Sequence, residues 1–172
     1  GHNNVLIGNN AGDKSSAGGY LVVIGDNAGG ADITAAADGM VLIGASAGAA
    51  ITTGAGNVAI GYQSLDAAAT SSKNSAVGYQ ALSAVNGDGD QGNTAVGYQA
   101  GDSVTSGTKN TILGWGSTAN SGNAINQTCI GAGVEGVADY SVTLGDDDVT
   151  KVYAAHDGDA VVYCGGINMS LN

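Results

Sequence analysis

The sequence predicts an all-β, parallel β-solenoid (a β-roll or β-helix) of about nine coils, each 17–19 residues long. Three observations carry that prediction. A short apolar run ending in Gly recurs nine times, the spacing between those glycines is nearly constant, and β-branched residues are frequent while Pro is absent. The glycines are Gly8, Gly25, Gly44, Gly61, Gly78, Gly97, Gly114, Gly131 and Gly145, spaced 17, 19, 17, 17, 19, 17, 17 and 14 residues apart. A period of this length means stacked supersecondary units, not a closed single core. At about 4.8 Å per coil, nine coils make a rod roughly 40 Å long.

Each column of the repeat has a physical reading. The residue before Gly is Ile, Leu or Val in all nine copies, and the residue two earlier is Val, Thr or Ser. Residues two apart on a strand share a face, so these two columns are expected to point together, with the large aliphatic column forming the core. Between them stand Leu6, Val23, Leu42, Ala59, Ala76, Ala95, Ile112, Cys129 and Thr143, expected on the opposite face. That face is also apolar or small, which implies a partner surface as well as a core. The recurring Gly permits positive φ or close backbone approach at the coil's corner. Small residues follow three positions later, from Ala11 and Ala28 to Ala100 and Ser117. Asn4, Asn57, Asn74, Asn93 and Asn110 precede their strands, where the amide can bond a turn or stack as a ladder. A coil of this length has room for two or three short strands with turns.

Residues 30–39 and 83–92 hold the insertions that lengthen two coils, and their Gly, Ala and Asp content predicts bulged surface loops. The repeat domain is assigned to 1–145. Residues 146–172 change composition: an acid triplet, an apolar stretch, a turn at Asp157-Gly158-Asp159 and a second stretch ending at Cys164. They read as a hairpin-like cap or a connector to another module.

Composition excludes several functions. Fifteen acids against four lysines leave a net charge of −11, and Lys14, Lys73, Lys109 and Lys151 are scattered, so no basic stripe exists for nucleic acid. The same charge is repelled by an anionic membrane surface, and no apolar run is long enough to span a bilayer. Cys129 and Cys164 are too few for a disulfide framework or a four-ligand zinc site.

The runs Gly61-Tyr62-Gln63, Gly78-Tyr79-Gln80 and Gly97-Tyr98-Gln99, with their flanking Asn-x-Ala-aliphatic strands, resemble repeats of bacteriophage tail fibres and spikes over about residues 4–145. The stretch from Val142 through Tyr153 to Ser170 is similar to the segment preceding an endosialidase-type intramolecular chaperone. In that family the chaperone folds the trimer and then cleaves itself off before a Ser, and the resemblance implies Ser170 as the processing site and a removed chaperone module. The aliphatic-Gly strands also resemble, less closely, the heads of trimeric autotransporter adhesins. The resemblance implies a homotrimer that binds a bacterial surface polysaccharide or protein receptor, on a virion tail or, alternatively, on a bacterial surface.

Tyr62, Tyr79, Tyr98 and Trp115 follow the repeat Gly in four consecutive coils, so in-register stacking predicts one aromatic column. That column reads either as a glycan-binding strip, in which rings pack on sugars while phenol and indole groups remain polar handles, or as a structural ladder. Gln63, Gln80 and Gln99 alongside offer amides to sugar hydroxyls or to one another.

The remaining motifs have simpler explanations. Gly44-Ala45-Ser46-Ala47-Gly48 spells a nucleophile elbow, yet Asn10, Asn27 and Gln63 hold the place of Ser46 in other copies. Gly87-Asp88-Gly89-Asp90-Gln91-Gly92 has phosphate-loop spacing, but its aspartates repel phosphate. Asn86, Asp88 and Asp90 lack the rest of a calcium loop. Asp146-Asp147-Asp148 reads as a solvated acidic turn or as a cation site on a three-fold axis. The acids are nearly all Asp, with Glu135 the one Glu, and no pair suggests glycoside hydrolysis. The expectation is a protein that is not an enzyme, with no cofactor and no metal: a receptor-binding tail-fibre segment, alternatively a fibre shaft that acts as a spacer or a trimeric adhesin head. A monomer would instead need another ligand for its repeated flat face, such as ice or a matrix polymer.

Overall fold

The computed structural model describes residues 2–152. Eleven short strands follow in order: β1 (Val5–Ile7), β2 (Val22–Ile24), β3 (Val41–Ile43), β4 (Val58–Ile60), β5 (Ser71–Ser72), β6 (Ser75–Val77), β7 (Gly89–Asp90), β8 (Thr94–Val96), β9 (Thr111–Leu113), β10 (Thr128–Ile130) and β11 (Val142–Leu144). Nine of them form one parallel sheet in the order β1-β2-β3-β4-β6-β8-β9-β10-β11. Each repeat pairs in register with the next, as in Val41↔Val58, Leu42↔Ala59 and Ile43↔Ile60. The described residues contain no helix, and the chain is an all-β parallel solenoid of about eight turns.

Most coils carry a single three-residue strand, fewer than the two or three expected. The rest of each coil is turn, and its backbone still bonds to the neighbouring coil: the N–H of Gly61 donates to Ile43 at 2.7 Å, and that of Gly48 to Ser64 at 2.9 Å. Left-handed corners do the bending. The second residue after the repeat Gly has positive φ in Asn10, Asn27, Ser46, Gln63, Gln80, Gln99, Gly116 and Gly133. The repeat Gly itself has φ of 130–142° from Gly8 to Gly131.

The face assignment is reversed relative to the sequence expectation. Val23, Leu42, Ala59, Ala76, Ala95, Ile112 and Cys129, the middle residues of the strands, are fully buried. The flanking columns, from Val22 and Ile24 to Thr128 and Ile130, are half-buried or exposed. The interior is filled jointly by the middle residues and by side chains from the turns, among them Leu21, Ile33, Met40, Ile51, Leu65, Leu82 and Val85. A column that includes Ala59, Ala76 and Ala95 therefore suffices as the strands' share of the core, and the larger Ile and Val beside them face outward.

The two long coils also differ from expectation. Ile33 and Ala37 of the first insertion, and Val85 and Gln91 of the second, are buried, while β7 in the second pairs with β5. Only parts of these segments are surface loops. At the N-terminal edge Leu6 is 44% exposed although it occupies the core column, because no coil covers it.

The expected amide ladder is present and buried. Asn57 Oδ1 accepts the Asn74 backbone N–H at 2.9 Å, Asn74 Oδ1 that of Asn93 at 3.0 Å, Asn93 Oδ1 that of Asn110 at 3.0 Å, and Asn110 Oδ1 that of Gln127 at 2.9 Å. The side-chain amides of Asn57, Asn93 and Asn110 donate to the carbonyls of Ser71, Gly107 and Ala124. Each amide thus satisfies backbone groups that the tight turn would otherwise orphan inside the solenoid.

Candidate functional site

The aromatic column is positioned by the backbone. Tyr62 O accepts the Gln80 N–H at 2.8 Å, Tyr79 O that of Gln99 at 2.8 Å, Tyr98 O that of Gly116 at 2.8 Å, and Trp115 O that of Gly133 at 2.8 Å. The coil register is carried past the strands, so one aromatic residue arrives per coil. Ring centroids are 5.2 Å apart for Tyr62–Tyr79, 5.1 Å for Tyr79–Tyr98 and 6.3 Å for Tyr98–Trp115, with interplanar angles of 18°, 8° and 15°. All four rings face solvent, at 45%, 42%, 44% and 63% exposure in chain order. The four predicted residues form one continuous, exposed column.

Beside it runs a second row. Gln80 Nε2 donates to Gln63 Oε1 at 2.9 Å, and Gln99 Nε2 donates to Gln80 Oε1 at 3.0 Å. Each primary amide keeps a second N–H outside this ladder. These glutamines sit at φ of 52°, a left-handed conformation that Gly and Asn adopt more readily. Gly116 takes the equivalent place beside Trp115, and a Cβ there would meet nothing within 4 Å. The glutamine row therefore ends where the indole begins.

The other sequence candidates are dispersed. Ser46 is the left-handed corner residue of its coil and donates its backbone N–H to Asp26 O at 2.9 Å, like its counterparts in neighbouring copies. Asp88 accepts a hydrogen bond from Thr70, and Asp90 forms an exposed ion pair with Lys73. Among the described residues no three His, Cys, Asp or Glu side chains gather as a metal set. Asp146, Asp147 and Asp148 line a shallow concavity of about 430 Å³ with Glu135, Val137 and Thr143. Residues 149–152 form no strand, and the rest of the expected hairpin, Cys164 and Ser170 lie outside the described residues.

Two features were missed in the sequence. The left-handed glutamines escaped notice, although the Asn, Asn, Ser, Gln, Gln, Gln, Gly, Gly order of that column marks a strained corner. The Val/Thr and Ile/Val columns, expected in the core, face outward instead. No protein-family model matches the chain, and a search of curated proteins finds no significant match.

Proposed function

We propose that this chain is a non-catalytic segment of a phage tail fibre that attaches to a glycan on the bacterial surface. The observation that carries the reading is the exposed column Tyr62, Tyr79, Tyr98 and Trp115, flanked by Gln63, Gln80 and Gln99. Aromatic rings with polar tips suit amphipathic sugars, and amide rows suit their hydroxyls. The proposed partner for the outward apolar columns is the chain itself, as a homotrimer. Three weak sites per fibre then gain affinity through avidity.

Binding to purified bacterial surface polysaccharides tests the reading. Tyr79→Ala and Trp115→Ala should each weaken binding at least tenfold with thermal unfolding little changed. Retention of full binding by both variants would overturn it. A spacer shaft is the second reading, favoured by the way the rings stack on one another. Acrylamide quenching of Trp115 separates the two: ready quenching supports the strip, and strong protection without added glycan supports the shaft.

A further inference from the structure

The geometry of the column restricts which glycan fits it. Carbon atoms in van der Waals contact lie about 3.5–4.0 Å apart. Near-parallel rings with centroids 5.1–5.2 Å apart are therefore offset like shingles. Each ring covers part of the next, which leaves mainly edges and phenol hydroxyls facing outward. The run ends at Trp115: the next coil places Ala132 in this column, and Gly116 leaves the flank open. Trp115 is accordingly the most exposed of the four rings; Tyr62, at the other end, also has one face free of an aromatic neighbour, since the preceding coil places Ala45 there, but it is flanked by Gln63 and less exposed. The site is a stacking platform at one end followed by a row of hydroxyls and amides that repeats once per coil. No charged residue occurs in either row.

We propose that the ligand is a neutral, unbranched glycan in extended form, lying along the column with one sugar per coil and its end sugar stacked on Trp115. This rests on the glycan reading above and names its substrate class. A pyranose chain 1,4-linked through two equatorial bonds is an extended ribbon that advances by close to one coil rise, about 4.8 Å, per sugar. Successive sugars then meet Tyr98, Tyr79 and Tyr62 in register. Chains that leave each ring by one axial and one equatorial bond, as in malto-oligosaccharides, curve away after one or two units. A neutral ligand also avoids the repulsion that a protein of net charge −11 exerts on anionic polymers.

The test is calorimetric titration of the intact chain with cello-, chito- and xylo-oligosaccharides from two to six sugars, beside malto-oligosaccharides of equal length. At least one extended series should gain affinity up to the tetrasaccharide and then level off, with the malto series about tenfold weaker. Tyr62→Phe removes one phenol hydroxyl and keeps the stack. It should weaken tetrasaccharide binding and leave disaccharide binding unchanged, while Trp115→Ala abolishes both. Affinity that levels off at the disaccharide, a silent Tyr62→Phe, or a preference for the malto series would overturn the one-sugar-per-coil inference with the glycan reading intact. If no member of these series binds but a branched or charged surface polysaccharide does, the inference again fails alone. Absence of binding by any glycan would remove both.

Discussion

A methyl group at Gly44 would lie 2.6 Å from the carbonyl oxygen of Gly61, and its φ of 130° is one that L side chains rarely adopt. Steric overlap and backbone strain act together there, so Gly44→Ala should cost about 3 kcal/mol or more, read as a fall in the urea midpoint. The buried amides give a different signature. Asn74→Ala removes the acceptor for the Asn93 backbone N–H, and the orphaned group should cost about 1–3 kcal/mol. Asp66 makes a pH-dependent case. Burial pushes its carboxyl above the ordinary 3.8, against the opposing pull of its own backbone N–H and that of Ala67. A raised folded-state value means the folded chain holds the proton more tightly than the unfolded one. The resulting stabilisation is complete below 3.8 and is lost as pH rises through the folded value. Asp66→Asn should therefore stabilise the fold at about pH 7 and make little difference at about pH 3, when urea midpoints are compared with the parent.

Within a coil, the fourth residue after the repeat Gly and the middle of the strand share one volume. A Cβ at Gly12 would touch Leu6, one at Gly29 would meet Val23 and Leu42, and one at Gly48 would lie 2.8 Å from Leu42. Where the strand has only Ala59 or Ala76, that fourth position is Leu65 or Leu82, held at φ of 49° and 51° to reach the core. Large opposite small thus holds in the first five coils, whereas the coil of Ala95 has Gly101 at the fourth position and its space is taken by Leu82 and Ile112 of the neighbouring coils. Ala59→Leu alone should overpack by about 1–3 kcal/mol. Leu65→Gly alone should leave a cavity costing about 2–4 kcal/mol after relief of the left-handed strain. The double variant should recover most of both losses, and simple additivity in a denaturation cycle would disprove the shared volume. This exchange also explains what the sequence disguised. The period, the strand positions, the corner glycines, the asparagine ladder and the aromatic column could all be read from residue spacing. Which face points inward could not, because Ile7 to Leu144 outside are larger than Ala59, Ala76 and Ala95 inside. Parity alone cannot choose between two apolar faces when turn residues such as Leu65 supply the missing core volume. The stacked column at Tyr62 to Trp115 was visible because it needs only register, whereas the left-handed glutamines needed backbone angles.

At the scale of the whole molecule, two long-range forces oppose each other. The outward columns run the length of the nine-stranded sheet and expose Val96, Ile130 and Leu144 beside half-buried Ile24, Ile43 and Ile60. An apolar stripe that long favours association with further copies. Each copy carries a charge of −11, so gathering three of them is resisted by mutual repulsion. Salt weakens the repulsion, since the screening length falls from about 30 Å at 0.01 M to about 10 Å at 0.1 M, and leaves hydrophobic contact in place. Association should therefore strengthen with ionic strength, unlike assembly through ion pairs. Light scattering should give a mass near three times 16.5 kDa at about 0.1 M salt, with partial dissociation at about 0.01 M. Val96→Asp places a charge in the middle of the stripe, at an outward position that the solenoid core does not use. It should yield a monomer that keeps its β-structure by circular dichroism. A monomeric parent at every salt concentration would remove the homotrimer and, with it, the avidity that a weak glycan site requires. The flat outward columns would then be free for a ligand of their own.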